Sequence, residues 1–312
     1  MRLLVAGWHG QIAQALVELA AATPSVTALS VGRPALDLCT PSTIRSTFVA
    51  TRPDVMINTA AYTAVDAAES DERAAFELNC RGAAAFAHLA ARHGVPIIHM
   101  STGYVFDGEK DGPYGEDDAP APRTVYGRSK LAGEAEVVGA NPCHLILRTS
   151  WVFSPYGRNF VSHVLDLARE RDEIGIVDDQ VGSPTSALDL AAAVLDLAAR
   201  LKGMDAEVPW GTYHIAGSGE ASWFEVARKA LEISGALGGP TARVRPISGA
   251  DYATRAPRLA NSRLDTARMS RNFGISLAPW EQSLEVCVRR LLEEDAPAAN
   301  GKTKRSHKAR QG

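Results

Sequence analysis

The chain has 312 residues, 46% of them hydrophobic and 22% charged. This is ordinary globular composition, long enough for a sizeable core and roughly two domains, and it excludes a mostly disordered chain, a collagen-like chain and a disulfide scaffold. Net charge is −3, but residues 296–312 hold five basic side chains and no acid, which leaves the rest at −8. A body that acidic is a poor match for nucleic acid or an anionic membrane. The tail reads as a disordered basic segment.

Four cysteines, Cys39, Cys80, Cys143 and Cys287, lie far apart with no C-x-x-C. They read as reduced thiols of a cytoplasmic protein. The eight histidines show no metal-ligand spacing, and His88 and His93 are five apart rather than four. No metal is expected. The apolar start at Leu3-Leu4-Val5-Ala6 runs directly into a glycine turn, so no signal peptide is expected, and no stretch is long enough for a membrane helix.

In chain order, 2–6 reads as a strand, 11–21 as a helix, 26–31 as a strand and 41–50 as a helix opened by Pro41. A strand at 55–58, a helix at 72–92, a strand at 96–100, a helix at 125–138 and a strand at 144–147 follow. The strands are continuously apolar, as when helices cover both faces of a parallel sheet. Residues 107–123, rich in Gly, Pro and Asp, read as a long loop. Beyond it, 160–171, 187–201, 223–234 and 280–294 read as helices, and 174–177 and 212–215 as strands. The expected fold is α/β: a Rossmann-type doubly wound parallel sheet with a smaller C-terminal α/β lobe.

Gly7-Trp8-His9-Gly10-Gln11-Ile12-Ala13 joins the first strand to the first helix. Gly7 allows a tight turn and Gly10 a close approach to a pyrophosphate at the helix N-terminus, while Ala13 is small enough for helix–strand packing. A plain strand-to-helix glycine turn is the alternative. The second strand runs out through Ser30-Val31-Gly32-Arg33 with no acid. An arginine there suits a 2′-phosphate, so NADPH is expected ahead of NADH, against the alternative of a solvated surface charge. Asp37 and Leu38 are placed beside the adenine.

Tyr126 and Lys130 stand at i and i+4, on one helix face. An adjacent ammonium favours the phenolate, and such a pair can protonate a carbonyl oxygen while hydride arrives from a nicotinamide. The alternative is a surface tyrosine beside a surface lysine. Ser101-Thr102 directly follows a strand, where ligands of open α/β sheets bind.

The glycine turn, Thr102 and the Tyr126/Lys130 pair resemble the extended short-chain dehydrogenase/reductases. Longer strings narrow the likeness: Asn58 to Glu69, Ser101 to Gly108, Val125 to Glu134, Arg148 to Phe153, Asp179 to Thr185 and Asn261 to Leu264. In order and interval they are similar to the dTDP-4-dehydrorhamnose reductase family over about residues 1–293. The resemblance implies NADPH-dependent reduction of the 4-keto group of dTDP-4-dehydro-L-rhamnose to dTDP-L-rhamnose, by a monomer or homodimer. It makes Tyr126 the proton donor, has Lys130 tune it and bond the nicotinamide ribose, and has Thr102 hold the substrate oxygen. Gly7, Gly10, Gln11 and Ile12 would cradle the pyrophosphate, and Ala60, Ala61 and Tyr62 would line the cofactor's ribose and phosphates. Val65, Gly103, Tyr104 and Trp151 would meet the substrate, although core packing also explains Trp151. Gln180, Pro184 and Thr185 would shape a wall shared by the two lobes. Residues 1–150 with about 171–202 would form the nucleotide-binding domain, and 151–170 with 203–295 the substrate lobe.

Three positions depart from the family pattern. Gly103 replaces an Asp, removing a carboxylate that could bond a sugar hydroxyl. Leu259-Ala260 interrupts an Arg-Pro before Asn261, and Thr124 replaces an Asn, with capping ability kept. Gly103 keeps open a different 4-keto-6-deoxysugar nucleotide as substrate. A non-catalytic alternative is a nucleotide-binding regulatory subunit, such as the one that serves methionine adenosyltransferase on this fold.

Overall fold

The computed structural model describes residues 1–203 and 208–295, so the basic tail expected at 296–312 lies outside the described residues. The chain begins with β1 (Arg2–Ala6), α1 (Gln11–Ala21), β2 (Thr27–Val31), α2 (Pro41–Thr51) and β3 (Val55–Asn58). Next come α3 (Val65–Ala68), α4 (Glu72–Phe76), a π-helical segment (Glu77–Gly82), α5 (Ala83–Arg92) and β4 (Ile97–Thr102). The large sheet is completed by β5 (His144–Thr149), after α6 (Val125–Ala140), and later by β10 (Gly211–His214). Its order is β10-β5-β4-β3-β1-β2, every pairing parallel. From β1 the chain goes outward to β2 and then back to β3 on the other side. A crevice therefore opens between the carboxyl ends of β1 and β3.

Alternation along the strands supplies both faces of this sheet. Leu3, Val5, Leu145 and Leu147 pack against α1 and α8 (Ala187–Gly203). Leu4, Met56, Ile97 and Ile146 pack against α2, α5 and α6, through side chains such as Phe48, Phe86 and Val137.

The smaller lobe holds short strands, β6 (Val152–Phe153), β7 (Glu173–Val177), β8 (Val181–Gly182), β9 (Thr185–Ser186), β11 (Ala221–Ser222), β12 (Arg243–Ile247) and β13 (Asn261–Ser262). Its core gathers α7 (Phe160–Glu170), α9 (Trp223–Ala236) and α11 (Trp280–Asp295). Both α7 and α9 start with capping boxes, Asn159/Ser162 and Ser222/Glu225.

Two expectations need correction. Residues 171–202 do not return to the larger lobe as one piece: β7 pairs with β12, and Ile174 and Ile176 sit in the smaller lobe's core. The return begins at Ala187, and β10 and α10 (Ala267–Phe273) also belong to the larger lobe. Such short interleaved passes carry no periodicity that would mark a boundary. The helix expected over 72–92 is real but contains the π segment. Its widened turn brings the backbone of Asn79 against α6, where a Cβ on Gly133 would lie 2.0 Å from Asn79 O.

Candidate active site

The glycine turn and α6 face each other across a cavity of about 560 Å³ at the carboxyl ends of the large sheet's strands. On one side, Gly10, Gln11, Ile12 and Ala13 present the first turn of α1. Gly10 is the N-cap, makes no side-chain cap, and has nothing within 4 Å of where a Cβ would stand. The open N–H groups and the positive end of the helix thus meet the cavity, as an anion such as a pyrophosphate requires. Gly7, with φ +105°, makes the turn from behind; a Cβ there would lie 2.9 Å from Thr59 Oγ1. Gln11 is anchored through its Oε1, which accepts from Ser154 Oγ at 2.8 Å.

On the other side, Thr124 Oγ1 caps α6 by accepting from Gly127 N at 2.9 Å. Tyr126 and Lys130 follow one turn apart and both line the cavity. The helix comes this close because Gly127 has no side chain: a Cβ would lie 2.2 Å from Tyr104 O. Tyr104 meets the Tyr126 ring edge-on at 5.6 Å. Thr102 ends β4 beside them, its Oγ1 accepting from Tyr104 N at 3.2 Å. Among the lining residues His9, Lys130 and Arg158 are basic and none is a carboxylate, which suits a ligand rich in phosphates.

Burial pushes the Tyr126 phenol up to about 12, against the pull of its hydrogen bond with Thr102. The lowering by Lys130 expected from the sequence is therefore not seen. The Lys130 amine is engaged by the end of β4 instead, donating to Met100 O at 2.7 Å. Burial takes Lys130 down to about 8, with Glu134 pulling it back up. At neutral pH Tyr126 thus keeps its phenol proton, and Lys130 gives up its own more readily than an ordinary lysine.

The profile of the family described as RmlD substrate binding domain matches residues 1–293. A protein of Sinorhizobium fredii named dTDP-4-dehydrorhamnose reductase is 48% identical over 298 residues, covering 96% of this chain and 100% of its own. This chain belongs to the dTDP-4-dehydrorhamnose reductase family. A solved structure of the Bacillus anthracis dTDP-4-dehydrorhamnose reductase, in complex with NADP, superposes with a TM-score of 0.85 at 32% identity. That match covers 92% of this chain and 98% of the other. A relative from Streptomyces antibioticus is 37% identical over 304 residues, covering 95% of this chain and 98% of its own, and is named a probable dTDP-4,6-dihydroxy-2-methyloxan-3-one 4-ketoreductase.

In this member of the reductase family, ten of the expected site residues line the one cavity: Gly10, Gln11, Ile12, Ala61, Val65, Thr102, Tyr104, Tyr126, Lys130 and Trp151. Others stand behind it or away from it. Ala60 N donates to Asn58 Oδ1 at 3.1 Å, and Tyr62 N donates to Asn79 Oδ1 at 2.7 Å, so both belong to the backing of the β3 loop. Leu38 is buried in the apolar core against α2 and α5, so its side chain cannot flank an adenine. Arg33 is exposed and Asp37 half-buried, beyond the end of β2. The direction in which Gly103 would carry a Cβ faces Leu264 and Ser262 rather than the cavity. Gln180, Pro184 and Thr185 do not reach the lining; Thr185 N supports the wall from behind by donating to Trp151 O at 3.1 Å.

Sequence reasoning missed four contributors. Trp223 lines the cavity and stacks on Trp151. Thr149 is also in the lining, and its Oγ1 is buried with no hydrogen-bond partner among the described residues. A buried hydroxyl without a partner in a cavity wall is a group that a ligand can satisfy. Glu134 and Arg148 form a buried pair at 2.6 Å behind the site, with Ser101 Oγ donating to Glu134 Oε1 at 2.5 Å. The Arg-Thr-Ser-Trp run at 148–151, ending a strand, was the only sequence signal for Thr149.

Proposed function

We propose that the protein reduces the 4-keto group of dTDP-4-dehydro-L-rhamnose with NADPH, giving dTDP-L-rhamnose. The observation that carries this is the convergence of Thr102, Tyr126 and Lys130 on a cavity whose opposite wall is the open N-terminus of α1. The residues present fit a dinucleotide. The first turn of α1 offers free N–H groups to a pyrophosphate, the Ala60–Tyr62 backbone forms the neighbouring edge, and Arg33 stands clear of β2 for a 2′-phosphate.

When bound, NADPH supplies the hydride that reaches the carbonyl carbon. Tyr126 gives its hydroxyl proton to the carbonyl oxygen, which becomes the product hydroxyl. Thr102 orients that oxygen by hydrogen bonding. Lys130 binds the ribose hydroxyls and restores the Tyr126 proton from solvent-linked groups. Trp151 offers the flat apolar surface that a deoxysugar needs. The four cysteines are unpaired, which suits a reducing compartment such as the cytoplasm.

Loss of NADPH absorbance on adding dTDP-4-dehydro-L-rhamnose, generated in place by an epimerase, tests the reading. Oxidation should be robust in the wild type and absent in Tyr126→Phe, with NADPH binding retained in both. A second reading, reduction of another 4-keto-6-deoxysugar nucleotide, is favoured by Gly103 and by the name of the Streptomyces relative. It is taken up if NADPH binds but the rhamnose precursor does not turn over.

A further inference from the structure

Lys130 is only 2% exposed, and its amine meets a polar pair that the reaction as written does not use. Nζ lies 3.3 Å from His99 Nε2 while donating to Met100 O. His99 is fully buried on β4, directly across from Asn58 on β3. His99 Nδ1 stands 3.1 Å from Asn58 Nδ2, and Asn58 Oδ1 accepts from Ala60 N at 3.1 Å.

These contacts settle where the hydrogens are. A backbone N–H only donates, so the amide atom facing Ala60 is the oxygen, and the Asn58 nitrogen faces His99. An amide nitrogen only donates, so His99 Nδ1 accepts. Burial and the Lys130 charge hold His99 well below the usual histidine range, so the ring is neutral. A neutral ring that accepts at Nδ1 carries its hydrogen on Nε2. That hydrogen points at Lys130 Nζ. An ammonium cannot accept it, whereas a neutral amine can, and still donates to Met100 O and into the cavity.

We propose that His99 is a positioning residue for the reduction: locked by Asn58 with its hydrogen on Nε2, it aims the Lys130 amine and holds down its affinity for a proton. This rests on the reductase reading above. The other groups around Lys130 do not oppose it strongly. Tyr126 is a neutral phenol on the same helix, and the charge of Glu134 on that helix is matched by Arg148 on β5. The Asn58 link also ties the lysine to the loop after β3, whose Ala61 lines the cavity. A lysine held this way readily returns a proton to a tyrosine that has just given one up.

The test uses the full chain with two variants. His99→Gln can turn a carbonyl oxygen toward Nζ. Asn58→Asp keeps an oxygen for Ala60 and offers a second to His99 Nδ1, which moves the ring hydrogen and makes Nε2 an acceptor. In both, the basic limb of kcat against pH should move up by about one unit, with the Kd for NADPH changed less than about threefold. Wild-type pH profiles in both variants, with NADPH still bound, would overturn the proposal. The ring 15N shifts of His99 in the wild type provide a readout that needs no turnover. Nε2–H across pH 6 to 9 is expected, and Nδ1–H would overturn the lock even in a protein that reduces the sugar. Failure of wild-type turnover with Nε2–H observed would instead count against the reductase reading.

Discussion

Trp151 lies flat on Trp223, with ring centroids 3.6 Å apart and planes 10° from parallel. The backbone of Trp151 is left-handed at φ 47°, which a bulky residue adopts only when its surroundings compel it. Gly182 leaves room underneath: a Cβ there would come within 2.5 Å of the indole. Trp223 therefore holds in place the indole proposed above to face the sugar. Trp223→Ala should raise KM for the sugar nucleotide about tenfold, the worth of an aromatic pair, with the Kd for NADPH little changed. Trp223→Phe should recover most of the loss. Steady-state kinetics and a cofactor titration decide it, and an unchanged KM would remove Trp223 from the sugar wall.

Gly103 stands where the family pattern has an acid. A Cβ built there meets Leu264 Cδ2 at 3.5 Å and Ser262 O at 3.8 Å, both ordinary contacts, so Gly103→Asp should fold. The variant is expected to change KM and substrate preference while leaving kcat within about twofold, because it adds a carboxylate to the loop between Thr102 and Tyr104 and replaces no proton-transfer group. Unaltered KM across several keto-sugar nucleotides would show that position 103 does not select the substrate.

Arg148 and Glu134 are about 95% buried and share a fork, Nη2 to Oε2 at 2.6 Å and Nε to Oε1 at 3.0 Å. Removing one partner strands the other charge away from water. Arg148→Met should cost about 3–5 kcal/mol in urea unfolding, and adding Glu134→Gln should recover a good part of that. Simple additivity of the two substitutions would mean that the pair is not coupled.

His214 is fully buried, its Nε2 has no partner among the described residues, and burial followed by the Arg148 charge takes it down to about 4 from an ordinary 6.5. Between these values the unfolded chain binds a proton that the folded chain refuses. Stability from this group is thus complete above pH 6.5 and falls as pH drops toward 4, by on the order of 3 kcal/mol. His99 acts in the same direction. Urea midpoints at pH 7 and pH 5 should therefore separate more in the wild type than in His214→Gln. Equal separation would assign the acid sensitivity elsewhere.

Much of this was legible in the residues. The Gly7–Gly10 turn sits between a strand and a helix because an apolar run meets two glycines and an Ala/Leu-rich stretch. Tyr126 and Lys130 share a face because four residues make about one helical turn. What escaped was decided by pairings distant in sequence. His99 reads as one letter of an apolar strand, and its meaning comes from Asn58, 41 positions earlier, and Lys130, 31 later. Leu38 falls in the core instead of beside the adenine, because proximity along the chain to β2 does not give a side chain's direction. The strand at Arg243–Ile247 has three charged or Pro positions in five, and only its partner Glu173–Val177 makes it a strand.

The interleaving of the two lobes limits how the protein can move and be cut. Among the described residues the chain enters the smaller core at Phe153, leaves it at Ala187, returns at Ala221, leaves again for Met269 and re-enters it at Trp280. No single cleavage releases either lobe, and any widening of the cavity must bend several crossings together. Opening is thereby restrained by covalent connectivity as well as by contacts, and a sugar-binding half cannot be exchanged as a block without carrying pieces of the nucleotide-binding half with it.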